Sequence, residues 1–222
     1  MLRGEEIDLR EGLVYDPAVK GYDSNFWDGD TANLLVDTVK NTLKIGDTAL
    51  VGAASSFSQY LYGDFEFDML IDSESPDSND SVKYFGLRNA GDSNNRGAIY
   101  WDLSHDTTDD DSSPIANGGH PLSVVAYDEA GNRQRKWITW DTNWGGGGRM
   151  TRFRISWEGD GITFLINDTV YATLGDRAGN ATSQINTTIP QALRLVNRSV
   201  DTTDTCPTAM KLLVVRHTRK LI

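Results

Sequence analysis

Several things are scarce in this chain of 222 residues. Cys206 is the sole cysteine, which excludes an internal disulfide and a cysteine zinc cluster within one chain. Its simplest reading is a small packing residue. No apolar run approaches the roughly 18 residues that a bilayer-spanning helix needs, so no membrane insertion is expected. The opening MLRGEEIDLREGLVYDP is charged and lacks the apolar stretch of a secretory leader. Glutamate and lysine are few, at 7 each, against 25 aspartates and 14 arginines. An Asp-rich, Lys-poor surface suits high-salt cytoplasm, where ions screen self-repulsion, and so suggests a halophilic source. It also suits a loop-rich β protein, because Asp is a turn residue and Glu a helix former. The formal net charge of −11 argues against a nucleic-acid partner, which would need a basic footprint. With 38% hydrophobic residues the chain is globular.

Long amphipathic helices are also missing. Leu34 to Leu43 fits either a short helix or a strand. What is present is alternation. In 151–174, TRFRISWEGDGITFLINDTVYATL, Phe153, Ile155 and Trp157 alternate with Arg152, Arg154 and Ser156. Glu158-Gly159-Asp160-Gly161 makes a turn, and Ile162, Phe164 and Ile166 alternate again. Asn167-Asp168 turns once more, leaving Val170, Ala172 and Leu174 on one side of a third strand. This predicts a three-strand antiparallel meander. Further strands are predicted at 48–53, 64–71, 83–88, 98–103, 122–128, 136–141, 191–197 and 211–217. Short strands with polar turns and no helices predict an all-β sandwich. Residues 1–25 pattern weakly and read as an N-terminal arm, followed by one domain over 26–222.

Two acidic loops, DSESPDSNDS at 72–81 and DTTDDDSS at 106–113, offer oxygen ligands for Ca²⁺ but lack helix-loop-helix spacing. Solvated acidic loops are the simpler reading. Five Asn-X-Ser/Thr sites occur, at Asn79, Asn167, Asn180, Asn186 and Asn197; that at Asn167 is explained by turn chemistry. His105, His120 and His217 have no metal-binding spacing, and no nucleophile elbow or phosphate-binding Gly-Lys motif occurs. Gly145 to Gly148 reads as a flexible loop.

Tyr62-Gly63-Asp64-Phe65-Glu66 resembles a strand of the concanavalin A-like superfamily, in particular the laminarinase-type β-glucanases. Phe153 to Glu158 with Ile162 to Asn167 resembles their next strand pair, and Met210 to His217 their closing strand. The resemblance spans about 45–217 and implies a two-sheet antiparallel jelly roll with a sugar-binding concave face. Family enzymes place carboxylates at alternate positions of one strand, as nucleophile and acid/base. By order, the matching strand here is Gly97 to Leu103. Ala98 stands at the nucleophile position and Tyr100 at the middle acidic one; Asp102 alone holds a carboxyl. The resemblance therefore implies a chain that is not an enzyme by this mechanism. Glu66 and Asp68 form another i, i+2 pair, on a strand the family does not use for catalysis; Glu66 reads as structural or solvent-facing.

Sugars are held by aromatic faces and by Asp, Asn and Arg hydrogen bonds. Candidate glycan-binding residues are Tyr100, Asp102, Trp140 and Trp144. Trp137 and Trp140 have opposite parity, so one faces out, and Trp101 is expected in the core. The expected function is a non-catalytic, lectin-like module on a virion or cell surface, such as a capsid decoration, turret or tail-fibre head. Its partners would be glycan and other surface chains, and homo-oligomerisation is expected. A divergent glycan-degrading enzyme and a purely structural module are the alternatives.

Overall fold

A computed structural model describes residues 13–20, 22–29, 34–39, 42–45, 51–71, 81–103, 121–139, 150–158, 161–175, 188–199 and 210–218. Fifteen strands and one short helix follow in order. They are β1 (Leu13–Tyr15), α1 (Pro17–Lys20), β2 (Trp27–Gly29), β3 (Leu34–Asp37), β4 (Thr42–Ile45), β5 (Val51–Tyr60), β6 (Gly63–Ile71) and β7 (Ser81–Leu87). Then come β8 (Ile99–Asp102), β9 (Pro121–Tyr127), β10 (Arg133–Thr139), β11 (Thr151–Glu158), β12 (Gly161–Ile166), β13 (Thr169–Leu174), β14 (Gln191–Ser199) and β15 (Met210–Thr218).

The strands form two antiparallel sheets. The first runs β13-β12-β11-β6-β15-β4-β3, with β1 added beside β15. The second runs β10-β9-β8-β7-β14-β5-β2. Every predicted strand is present, and Leu34 to Leu43 resolves into β3 and part of β4 rather than a helix. Two strands and the helix lie where patterning was weak. β1 falls within 1–25, pairs with β15, and carries Tyr15 fully into the core. Three-residue strands are too short to show alternation, so composition alone could not find them.

Period-two alternation places one face of each sheet inside. Phe153, Ile155 and Trp157 of β11 and Ile162 and Phe164 of β12 are completely buried. The two sheets meet in an aromatic seam. Phe85 of the second sheet packs 5.5 Å from Phe67 and 5.1 Å from Phe153 of the first. Trp101 lies 5.2 Å from both Phe153 and Phe164, edge to face, as ring quadrupoles favour. Trp101 is thus a core residue, as its parity predicted.

The β12–β13 turn takes positive φ at Asn167 (46°) and Asp168 (65°), the geometry of a tight hairpin turn. Asn167 Oδ1 also accepts the Arg152 amide at 3.0 Å. One detail of the meander differs from the pattern. A bulge at Phe164/Leu165 sets Val170 opposite Leu165, so Val170 faces solvent at 57% exposure while Ala172 and Leu174 are buried. An unpaired residue reverses parity, and a bulge is invisible to a period-two reading.

Candidate functional site

The outer face of the second sheet holds a second, smaller cluster: Tyr84, Ala98, Tyr100, Val125 and Val196. Its layout follows from strand register. One row across the sheet reads Arg135, Val125, Tyr100, Gly86, Arg194, Ser55 and Asp28, from β10 to β2. The adjacent row reads Trp137, Ser123, Asp102, Tyr84, Val196 and Ala53. Ala98, Tyr100 and Asp102 therefore share this face, as alternate residues of one strand must. Tyr100 and Asp102 are each only 7% exposed although they point away from the core.

Gly86 is required here. Its φ is +152°, and a Cβ would lie 2.7 Å from the Tyr100 Cα. Its bare backbone lets the Tyr100 ring and the Arg194 side chain occupy the row on either side of it.

The polar groups are closely engaged. Arg135 Nη2 donates to Asp102 Oδ2 at 2.6 Å, and Arg135 Nε donates to Ser123 Oγ at 2.9 Å. The same guanidinium lies 4.2 Å from the centre of the Trp137 ring. Tyr100 packs 5.0 Å from Tyr84 and 6.5 Å from Tyr127. Burial pushes the Tyr100 hydroxyl far above the usual tyrosine range, and the charge on Asp102 adds to the shift. It is therefore held as a neutral phenol. Arg194 Nε donates to the Tyr84 hydroxyl at 3.1 Å, and its Nη1 donates to Ser55 Oγ at 2.5 Å. Arg88 stands 5.1 Å over the Tyr84 ring.

Of the four candidate residues, Tyr100 and Asp102 are brought together. Trp140 and Trp144 lie outside the described residues, as do His105, His120, Cys206 and most of both acidic loops. Among the described residues no three His, Cys, Asp or Glu side chains are grouped to hold a metal ion. Tyr84, Ser123, Tyr127 and Arg135 join the face without having been singled out, and Trp137, weighed only for its parity against Trp140, joins it too. Alternation shows that Arg135 and Trp137 share a face of β10, but only strand order places that face beside Asp102.

Glu66 and Asp68 lie on the opposite side of the molecule, on the outer face of the first sheet. Asp68 Oδ1 accepts Arg152 Nε at 2.8 Å and its Oδ2 accepts Arg216 Nη1 at 2.6 Å. Glu66 lies 3.8 to 3.9 Å from Arg152, Arg154 and Arg216, and Arg154 lies 3.4 Å from Asp168. Burial works to raise the Asp68 carboxyl, but hydrogen bonds and charge from Arg152 and Arg216 outweigh it and hold the group below its usual range.

Two antiparallel sheets in this order, packed through an aromatic core, make a jelly-roll sandwich, the fold this chain shares with solved glucanases. A β-glucanase from Bacillus licheniformis superposes with TM-score 0.62 at 14% identity, over 94% of this chain and 99% of that one. A glycoside hydrolase family 16 endo-glucanase from Bacteroides ovatus, solved in complex with G4G3G-2F-DNP, gives TM-score 0.60 at 12% identity, over 89% and 96%. LamAcat from Zobellia galactanivorans gives 0.52 at 14% identity, over 94% and 90%. No protein-family model and no curated protein matches the sequence.

Proposed function

We propose that this protein is a non-catalytic, lectin-like β-sandwich that binds glycan on the outer face of its second sheet. The observation that carries the reading is the content of β8 and the residue before it. Its three outward positions hold a methyl group, a neutral phenol and one carboxylate that is already paired with Arg135. Double displacement needs two carboxyls about 5 Å apart, one of them carrying a proton for the leaving group. The one carboxyl of this strand is engaged by the Arg135 guanidinium at 2.6 Å, and no second carboxyl shares its face of the strand. Around it, Tyr127 and Trp137 are half-buried aromatic surfaces beside fixed hydrogen-bonding groups, the combination that sugar rings use. Display on a virion or cell surface, as a homo-oligomer, completes the proposal and rests on the sequence arguments alone.

A glycan-degrading enzyme is the second reading. It is favoured by the similar structures, which include glucanases and a transglycosylase. One experiment separates the two. Purified protein is titrated calorimetrically with β-glucan and other oligosaccharides, and the same mixtures are followed by chromatography for chain shortening or transfer. Binding without product, weakened at least about tenfold by Trp137→Ala, supports the lectin reading. Product formation that Asp102→Asn abolishes would establish the enzyme. A folded protein that binds no glycan would reject both and leave an assembly role.

A further inference from the structure

Resting on the glycan-binding reading, we propose that the outer face of the second sheet carries an anion subsite, formed by Arg88 and Arg194 around Tyr84, that selects acidic glycans. Its chemistry is recognition of a uronate carboxylate or a sulfate ester on the sugar.

The two arginines stand on either side of one ring. Arg194 reaches the Tyr84 hydroxyl from β14, and Arg88, just beyond β7, covers the ring face. Their positive charge extends along the face, since Arg88 acts electrostatically on Tyr100. Neither guanidinium has a carboxylate within ion-pair distance among the described residues. That distinguishes them from Arg135, paired with Asp102 on the same face, and from Arg152, Arg154 and Arg216, all paired on the other sheet.

Geometry makes Arg194 ready for a ligand. A guanidinium has five N–H donors in a planar fork. Nε and Nη1 are held by Tyr84 and Ser55, which fixes the plane of the fork. Nη2 has no protein acceptor among the described residues. A fork fixed by two neutral hydroxyl groups keeps its full charge and loses little entropy on binding an anion. Both arginines are half-buried, so they reach solvent while sitting against low-dielectric rings. Gly86 puts no side chain between Arg194 and Tyr100, two strands or roughly 10 Å apart. That distance suits a sugar ring bearing one anionic group. The carboxylate of Asp28, exposed at the sheet edge two strands from Arg194, would exclude a second anion there.

The test compares length-matched neutral gluco-oligosaccharide, oligogalacturonate and a sulfated galacto-oligosaccharide by calorimetry. Wild type and the variants Arg194→Gln and Arg88→Gln are used, each checked for native circular dichroism. The expected result is at least about tenfold tighter binding of one acidic ligand, weakening with salt, and about a tenfold fall in the acidic-over-neutral affinity ratio in either variant. The oligogalacturonate and sulfated arms identify which anion the fork takes. Equal affinity for neutral and acidic ligands, or acidic binding that neither variant reduces, overturns the subsite and leaves the lectin reading intact. No binding of any ligand by the folded protein overturns both.

Discussion

The two outer faces of this sandwich use arginine in opposite ways. On the first sheet, Arg152, Arg154 and Arg216 face Glu66, Asp68 and Asp168, and the charges close on one another. Cross-strand register explains the closure: Glu66 of β6 sits directly between Arg154 of β11 and Arg216 of β15. On the second sheet, Arg135 pairs with Asp102, while Arg88 and Arg194 stand against the Tyr84 ring and hydroxyl. One face closes arginines on carboxylates, and the other also sets arginines against neutral rings and hydroxyls. Exposed polarity therefore says little about function until the partners of each charge have been traced.

This contrast can be broken by substitution, beginning with the largest effect. Gly86→Val puts a Cβ into the Tyr100 backbone at a φ that side chains rarely adopt. A loss of more than about 3 kcal/mol in chemical denaturation is expected. Next is Asp68→Asn, which leaves Arg152 and Arg216 facing a neutral amide. Because both arginines are about a third exposed, the expected loss is discounted to about 2 kcal/mol. Glycan binding should not change, since the two faces are on opposite sheets. If binding falls with a native circular dichroism spectrum, the separation of the faces is wrong.

Asp68 also sets a pH dependence. Its folded value lies below the ordinary 3.8, so its contribution is fully present above that value and is lost as pH falls through the lower folded one. Denaturation midpoints followed from pH 5 downward should fall less steeply for Asp68→Asn than for wild type. The smallest effect is expected at Glu66→Gln. Its three arginines stand at 3.8 to 3.9 Å, and a change within about 1 kcal/mol is predicted from the same denaturation curves. A loss there as large as at Asp68 would mean the network acts as one unit.

The fold was largely legible because alternation survives in strands of six to nine residues. Phe153 to Trp157 and Ile162 to Ile166 declared their buried faces, and the resemblance implied the two-sheet jelly roll. The failures have physical causes. Leu13–Tyr15 and Trp27–Gly29 are too short to show a period, and the bulge at Leu165 reversed the parity of Val170. The candidate site was legible only in part. Tyr100 and Asp102 share a strand, so their common face follows from local geometry. The partnership of Arg135 with Asp102 spans 33 residues and that of Arg194 with Tyr84 spans 110. Such contacts depend on which strands become neighbours, and no local pattern encodes that.

The placement of β14 and β15 has a consequence for how the chain reaches this state. Each is among the last strands in sequence, yet each lies inside a sheet, β14 between β7 and β5 and β15 between β6 and β4. His217 meets the Tyr62 carbonyl across 155 residues, and Leu193 meets Ser56 across 137. During synthesis the earlier strands emerge with their central neighbours still missing, and neither sheet can close until these two arrive. Search over such separations is slow, and it leaves β5, β6 and β7 with unpaired edges in the meantime. Closure of both sheets thus waits for β15, and the nascent chain depends on protection from aggregation until that strand inserts.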